Sequence, residues 1–256
     1  MQQTAPLASA SRMRPVAIVQ HDKTQRPGVL LSCLDEWGVP STIVMPEEGD
    51  RVPRRARDFG GIVLLGSNRS VNDALRWIDE ELRLLRDAAA AGVPLLGHCF
   101  GAQLMARSMG AQVSRNAWPN IGWSRLLTTG VGRRLFPSAS VASFNWHYET
   151  FAIPHGARRL LYGPYCLNKG FSIGPHLAFQ CHFEVTEAIV REWCRESEAE
   201  LDRARGPSVQ TRVEILSRLD ANLPELHRTA RRVYGHWVSS LDRRPSLQRP
   251  LDRVPA

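Results

Sequence analysis

Gly97-His98-Cys99-Phe100-Gly101 decides the fold of this 256-residue chain. The apolar run Val93-Pro94-Leu95-Leu96 leads into it, and the helical pattern Ala102-Gln103-Leu104-Met105-Ala106-Arg107 leads out of it. A cysteine between two glycines at a strand-to-helix junction reads as a nucleophile elbow. Such a tight turn raises one side chain at the carboxyl edge of a sheet. The flanking glycines allow the close packing the turn needs, and the backbone at the nucleophile is expected to be strained. A helix N-terminus directly after the cysteine brings free N–H groups and positive dipole to the sulfur, which favours thiolate.

Outward from the elbow, apolar runs alternate with helical spacing. Val16–Gln20, Ser41–Met45, Gly61–Leu65 and Leu95–Gly97 read as strands, while Gly28–Trp37 and Ala74–Ala91 read as helices closed by Gly38 and Gly92. Strands followed by helices and ending in polar loops predict an α/β fold, a doubly wound, mostly parallel sheet with helices on both faces. Its ligand sites belong at the strand carboxyl ends. Past residue 110 the pattern changes. Ile121–Thr128, Ala139–Asn145, Arg158–Tyr162 and His176–His182 read as strands, followed by helical stretches over Thr186–Arg203 and Val209–Leu241, the second with a break expected near Asn222-Leu223-Pro224. One domain over 14–241 is expected, with a C-terminal helical extension from about residue 186. The Pro- and Arg-rich tails 1–13 and 242–256 read as disordered.

Composition narrows the function classes. The net charge is +8, and 31 of the 33 basic residues are Arg; Lys23 and Lys169 are the two lysines. The arginines are scattered rather than striped with aromatics, so a solvated surface is expected rather than a nucleic-acid partner. No run approaches the ~18 apolar residues of a membrane helix, and the first 14 residues have no apolar core of a secretory signal. Five cysteines at 33, 99, 166, 181 and 194 form no disulfide pattern, and reduced thiols in a cytoplasmic protein are expected. His98-Cys99 and Cys181-His182 are poor metal-ligand pairs because adjacent strand residues face opposite ways; neither a metal site nor a cofactor is expected.

The base for Cys99 comes from Gln180-Cys181-His182-Phe183-Glu184. Strand alternation puts His182 and Glu184 on one face, where the imidazole can meet Cys99 and the carboxylate can orient it. Trp146 is expected to line a pocket. His21, His155, His227 and His236 have no partner visible in sequence and are assigned surface or capping roles.

Together these residues resemble the class I glutamine amidotransferase family, especially stand-alone members similar to the glutaminase domain of GMP synthase. Gly97, Cys99, Gly101 and Gln103 match the family's Gly-x-Cys-x-Gly-x-Gln. Gln180, His182 and Glu184 match its Gln-x-His-Pro-Glu, with Phe183 in place of proline. The two signatures are 83 residues apart, and the resemblance spans about residues 16–200. It implies a flavodoxin-like fold and a Cys99–His182–Glu184 triad that cleaves the side-chain amide of glutamine through a γ-glutamyl thioester. Backbone N–H groups of Gly66, in the loop Gly66–Val71, and of Phe100 would form the oxyanion hole. Gln103 would hold substrate, as would Trp146 and His147 in the segment Asn145–Glu149. Hydrolysis of a γ-glutamyl peptide or amine by the same triad is the alternative; a non-catalytic regulatory or partner-binding protein on this fold is a second. The family passes ammonia to a synthetase. No Gly-x-x-x-x-Gly-Lys-Ser/Thr phosphate loop occurs here, so the acceptor is expected on a separate synthetase subunit, or to be absent.

Overall fold

The computed structural model describes residues 13–241. The tails expected to be disordered lie outside them, except Met13, which packs against the core. Three buried runs form β1 (Val16–Val19), β3 (Gly61–Leu64) and β4 (Leu95–His98), and a β-branched, partly exposed run forms the edge strand β2 (Ser41–Val44). Helices α1 (Gly28–Glu36), α2 (Arg76–Ala91) and α3 (Phe100–Ser108) connect or follow them. The chain then makes β5 (Val113–Thr128), β6 (Ser140–Phe151), β7 (Arg158–Tyr162), β8 (Gly170–Ile173) and β9 (His176–Phe179).

All nine strands share one sheet in the order β2-β1-β3-β4-β9-β8-β7-β5-β6. The pairings from β2 to β9 are parallel and those from β9 to β6 antiparallel. This is the expected α/β fold, with the change of sequence pattern near residue 110 marking the switch to antiparallel pairing. Separate apolar clusters cover the two faces. One joins α1 and the C-terminal helices to the sheet; the other joins α2 and α3 to it.

Several boundaries differ from the sequence expectation. β5 begins at Val113 because a register shift between Arg115 and Asn120 accommodates Pro119, which can donate no ladder hydrogen bond. β8 was not anticipated, being four residues that begin at Gly170 and stop before Gly174, with no alternation to announce it. β9 stops at Phe179, so His182 and Glu184 follow the strand rather than ending it.

The helical stretch expected over Thr186–Arg203 is split into α4 (Glu187–Glu196) and α5 (Glu198–Arg203). The next is split at Arg218, not near Pro224, into α6 (Arg212–Ser217), which Thr211 and Glu214 start with a capping box, and α7 (Leu219–Val238). Pro224 sits in the second turn of α7, where it forfeits one backbone hydrogen bond without ending the helix. α7 lies against α1 and β6 and buries Tyr234 and Trp237 completely or nearly so.

Candidate active site

Cys99 occupies the junction of β4 and α3 with φ 51° and ψ −109°, the one non-glycine residue of positive φ among those described. Such a conformation costs about 1–3 kcal/mol and persists only where its surroundings impose it. Here the Cys99 N–H donates to the Phe179 carbonyl at 2.8 Å, and the Gly101 N–H to the Leu65 carbonyl at 3.1 Å. A Cβ on Gly101 would lie 2.2 Å from the Leu64 carbonyl oxygen, so the helix can approach β3 this closely only with glycine there. The Phe100 amide is first in α3 and is one of the N–H groups a helix leaves without an intrahelical acceptor.

The segment after β9 peels away from β4 and bonds instead to β6, where the His182 N–H meets the Phe144 carbonyl at 2.8 Å. That contact sets the His182 ring. Its Nδ1 donates to Glu184 Oε1 at 2.6 Å, Trp193 of α4 packs edge-on against it at 4.9 Å, and Cys99 shares a side-chain hydrogen bond with it. The three residues expected to act together are thus brought together, all nearly buried. His182 and Glu184 meet as strand alternation would have them, although the backbone is no longer strand.

Residues 28–187 match the family described as glutamine amidotransferase class-I. The chain belongs to the class I glutamine amidotransferase family. It is similar over 93% of its length, at 35% identity and a TM-score of 0.90, to the crystal structure of a glutamine amidotransferase from Methylobacillus flagellatus, 99% of which it covers. It is 26% identical, over 75% of this chain and 84% of the relative, to the glutamine amidotransferase-like protein YfeJ of Salmonella typhimurium. A GMP synthase of Alkalilimnicola ehrlichii is 31% identical over 48% of this chain, and the match spans 21% of that protein.

The other candidate residues of this amidotransferase-family chain fall as follows. Gly66 borders the triad. A Cβ there would lie 2.3 Å from Gln25 Oε1 and 3.1 Å from His182 Cε1, so a larger residue would displace the Gln25 side chain and press on the His182 ring. Gln103 is buried, with its Nε2 donating to the Glu149 carbonyl and to Gln180 Oε1, each at 3.2 Å; its Oε1 accepts no bond among the described residues. Gln180 in turn points Nε2 at Cys99 Sγ, 3.7 Å away, which gives the first glutamine of the second signature a contact with the elbow cysteine. The Trp146 carbonyl is also 3.7 Å from Sγ. Its ring lines a cleft of about 360 Å³ together with Asp22, Gln25, Asn68, Trp193 and Glu196.

His147 does not face that cleft. It is buried, with Nδ1 donating to the Glu149 carbonyl at 2.9 Å and Nε2 accepting from Lys169 at 2.7 Å, so both ring nitrogens are committed to the protein. Burial, with Lys169 beside it, pushes its pKa well below the usual value and keeps it neutral.

Burial would lower the His182 pKa too, but Glu184 and Cys99 outweigh it and hold the ring up to about 10. Glu184 is pulled the other way. Burial raises its pKa, and His98 and His182 bring it below the ordinary carboxylate range. The result is a ring held in its charged form between Cys99 and the Glu184 carboxylate. His98, which the sequence left without a role, is fully buried on the far side of that carboxylate. Its Nδ1 lies 3.3 Å from Glu184 Oε2 but donates to the Cys181 carbonyl at 3.2 Å, and its Nε2 accepts from Tyr234 at 3.3 Å.

His21 is a correction to the expected surface role. It is wholly buried and paired with Glu81 at 3.0 Å. Both partners are distant in sequence, and no local pattern pointed to them. Among the described residues no cluster of three or more His, Cys, Asp or Glu could hold a metal ion, and no helix is long and apolar enough to cross a membrane. All five cysteines are free and buried.

Proposed function

We propose that the chain hydrolyses the side-chain amide of glutamine, with Cys99 as nucleophile, His182 as proton carrier and Glu184 as its orienter. The observation that carries this reading is the strained Cys99 held beside a buried imidazolium whose other nitrogen is fixed by Glu184. Cys99 thiolate would attack the γ-carbonyl carbon, forming the S–C bond and an oxyanion facing the amides of Phe100 and Gly66. Loss of one such donor typically costs ~3–4 kcal/mol of barrier.

His182 would then give its Nε2 proton to the amide nitrogen as the C–N bond breaks, releasing ammonia and leaving a γ-glutamyl thioester. The neutral imidazole next takes a proton from water, whose oxygen attacks the thioester. Collapse of that adduct frees glutamate and restores the thiolate–imidazolium pair. The cleft at Trp146 and Trp193 opens beside His182 and is where substrate would enter; the free Oε1 of Gln103 would accept an N–H of the bound substrate.

The similarity to a GMP synthase over only a fifth of that protein supports placing the ammonia acceptor on a separate synthetase subunit. The test is ammonia release from glutamine against a Cys99→Ala control. Release that needs Cys99 is expected. Silence toward glutamine with turnover of γ-glutamyl peptides or amines would transfer the same triad to those substrates.

A further inference from the structure

Lys169 immediately precedes β8 and is buried, 1% exposed, in a chain whose other lysine or arginine residues, save Lys23, are all arginine. Its Nζ donates to Asn120 Oδ1 at 2.8 Å, to Asn145 Oδ1 at 2.8 Å and to His147 Nε2 at 2.7 Å. The orientation of each acceptor is fixed from elsewhere. Asn120 Nδ2 donates to the Trp118 carbonyl, Asn145 Nδ2 to the Gly122 carbonyl, and His147 Nδ1 to the Glu149 carbonyl. Burial lowers the Lys169 pKa from its ordinary value, and three acceptors for three N–H groups favour the ammonium over a neutral amine. No carboxylate pairs with it among the described residues, so its positive charge is uncompensated inside the protein. An unpaired buried charge is costly and acts over a longer range than one in water.

This cation is close enough to Cys99 to interact with it electrostatically. The Lys169 carbonyl accepts from the Gln180 N–H at 3.0 Å, and the Gln180 amide group reaches Sγ. His147 and Gln103 share the Glu149 carbonyl, which links the lysine to the residue one turn beyond the nucleophile. We propose, building on the nucleophile assigned above, that Lys169 is a positioning residue of the Cys99 site. It braces the β6 wall through Asn145 and His147 and sets a fixed positive charge behind the thiolate and the oxyanion formed from its attack.

A lysine suits this place better than arginine, because a compact ammonium fills a three-acceptor pocket that a planar fork does not match. Of the other titratable groups around it, His147 is neutral, and Cys181 is kept as a thiol by burial. Cys166 is bonded to Thr150 and to the Asn168 carbonyl. Arg125, which lines the same small cavity, is paired with Glu225.

The test is the pH dependence of Cys99 alkylation by iodoacetamide in the full chain, resolved by peptide mass spectrometry. It needs no substrate. Lys169→Met should move the pH of half-maximal rate upward by about one unit, equivalent to about tenfold slower labelling on the acid side. Asn120→Asp keeps the shape and neutralises the ammonium with a carboxylate; it should move the midpoint the same way and decides the matter if Lys169→Met does not fold. An unchanged midpoint in a folded variant, with labelling slowed equally at every pH or not at all, would overturn the proposal and leave the nucleophile assignment standing. Wild-type Cys99 that resists alkylation at every pH would overturn both.

Discussion

Two buried histidine–glutamate pairs stand at the carboxyl edge of the sheet, one after β1 and one after β9. His21 meets Glu81 of α2, and His182 meets Glu184 two residues on. Burial opposes the charge on both rings and the carboxylate overcomes it, so both pKa values are raised. Their second nitrogens differ. His21 Nδ1 is 3.2 Å from the Gly66 carbonyl, and the Trp77 and Phe100 rings close over the imidazole, so every donor is used in holding the loop beside the triad. His182 spends only Nδ1 on its carboxylate and turns the other edge to Cys99. A perturbed pKa therefore does not distinguish a base from a brace. A nitrogen left free beside a nucleophile does.

Substitutions should separate the two pairs. The largest effect is expected from Cys99→Ala and His182→Ala, each lowering ammonia release from glutamine by about 10³-fold or more with the fold retained by circular dichroism. Glu184→Gln should follow, with a loss of kcat of about 10²–10⁴-fold, since the ring loses the acceptor that fixes its tautomer. Glu81→Gln should reverse the pattern. Urea unfolding is expected to show a loss of about 3–5 kcal/mol from breaking a fully buried pair, while kcat of the folded fraction changes less than about tenfold.

The smallest and most diagnostic effect is in pH. Folding raises the His21 pKa above its ordinary 6.5, so the stability it contributes is complete below that value and is lost as pH rises through the folded-state value. The gap in stability between wild type and Glu81→Gln should therefore narrow on the alkaline side. A gap that widened there would contradict a charged His21.

Much of this was legible in the sequence because the parallel half of the sheet announces itself. β1, β3 and β4 are buried on both faces and appear as unbroken apolar runs, and the elbow follows β4 directly. The antiparallel half was less readable. β5 carries Asn116, Pro119 and Asn120 through its register shift, and β8 has too few residues for a period to show. The His182–Glu184 pairing could be read because the two are two residues apart. His21, His98 and Lys169 could not, since their partners lie between 22 and 136 residues away and converge only in the folded chain. Lys169 left one trace, a lysine where nearly every other cation is arginine. The partners of His147, expected in the substrate pocket, were hidden for the same reason: its Nε2 is taken by Lys169, 22 residues away.

The most direct test of the account is covalent trapping with a diazoketone analogue of glutamine, which alkylates the thiol that attacks the γ-carbonyl position. Peptide mapping of the folded, full-length chain should find one label per molecule, on Cys99, with glutamine protecting against it and His182→Ala slowing it. A chain that stays unlabelled, or carries the label on Cys33, Cys166, Cys181 or Cys194 instead, would contradict Cys99 as the nucleophile.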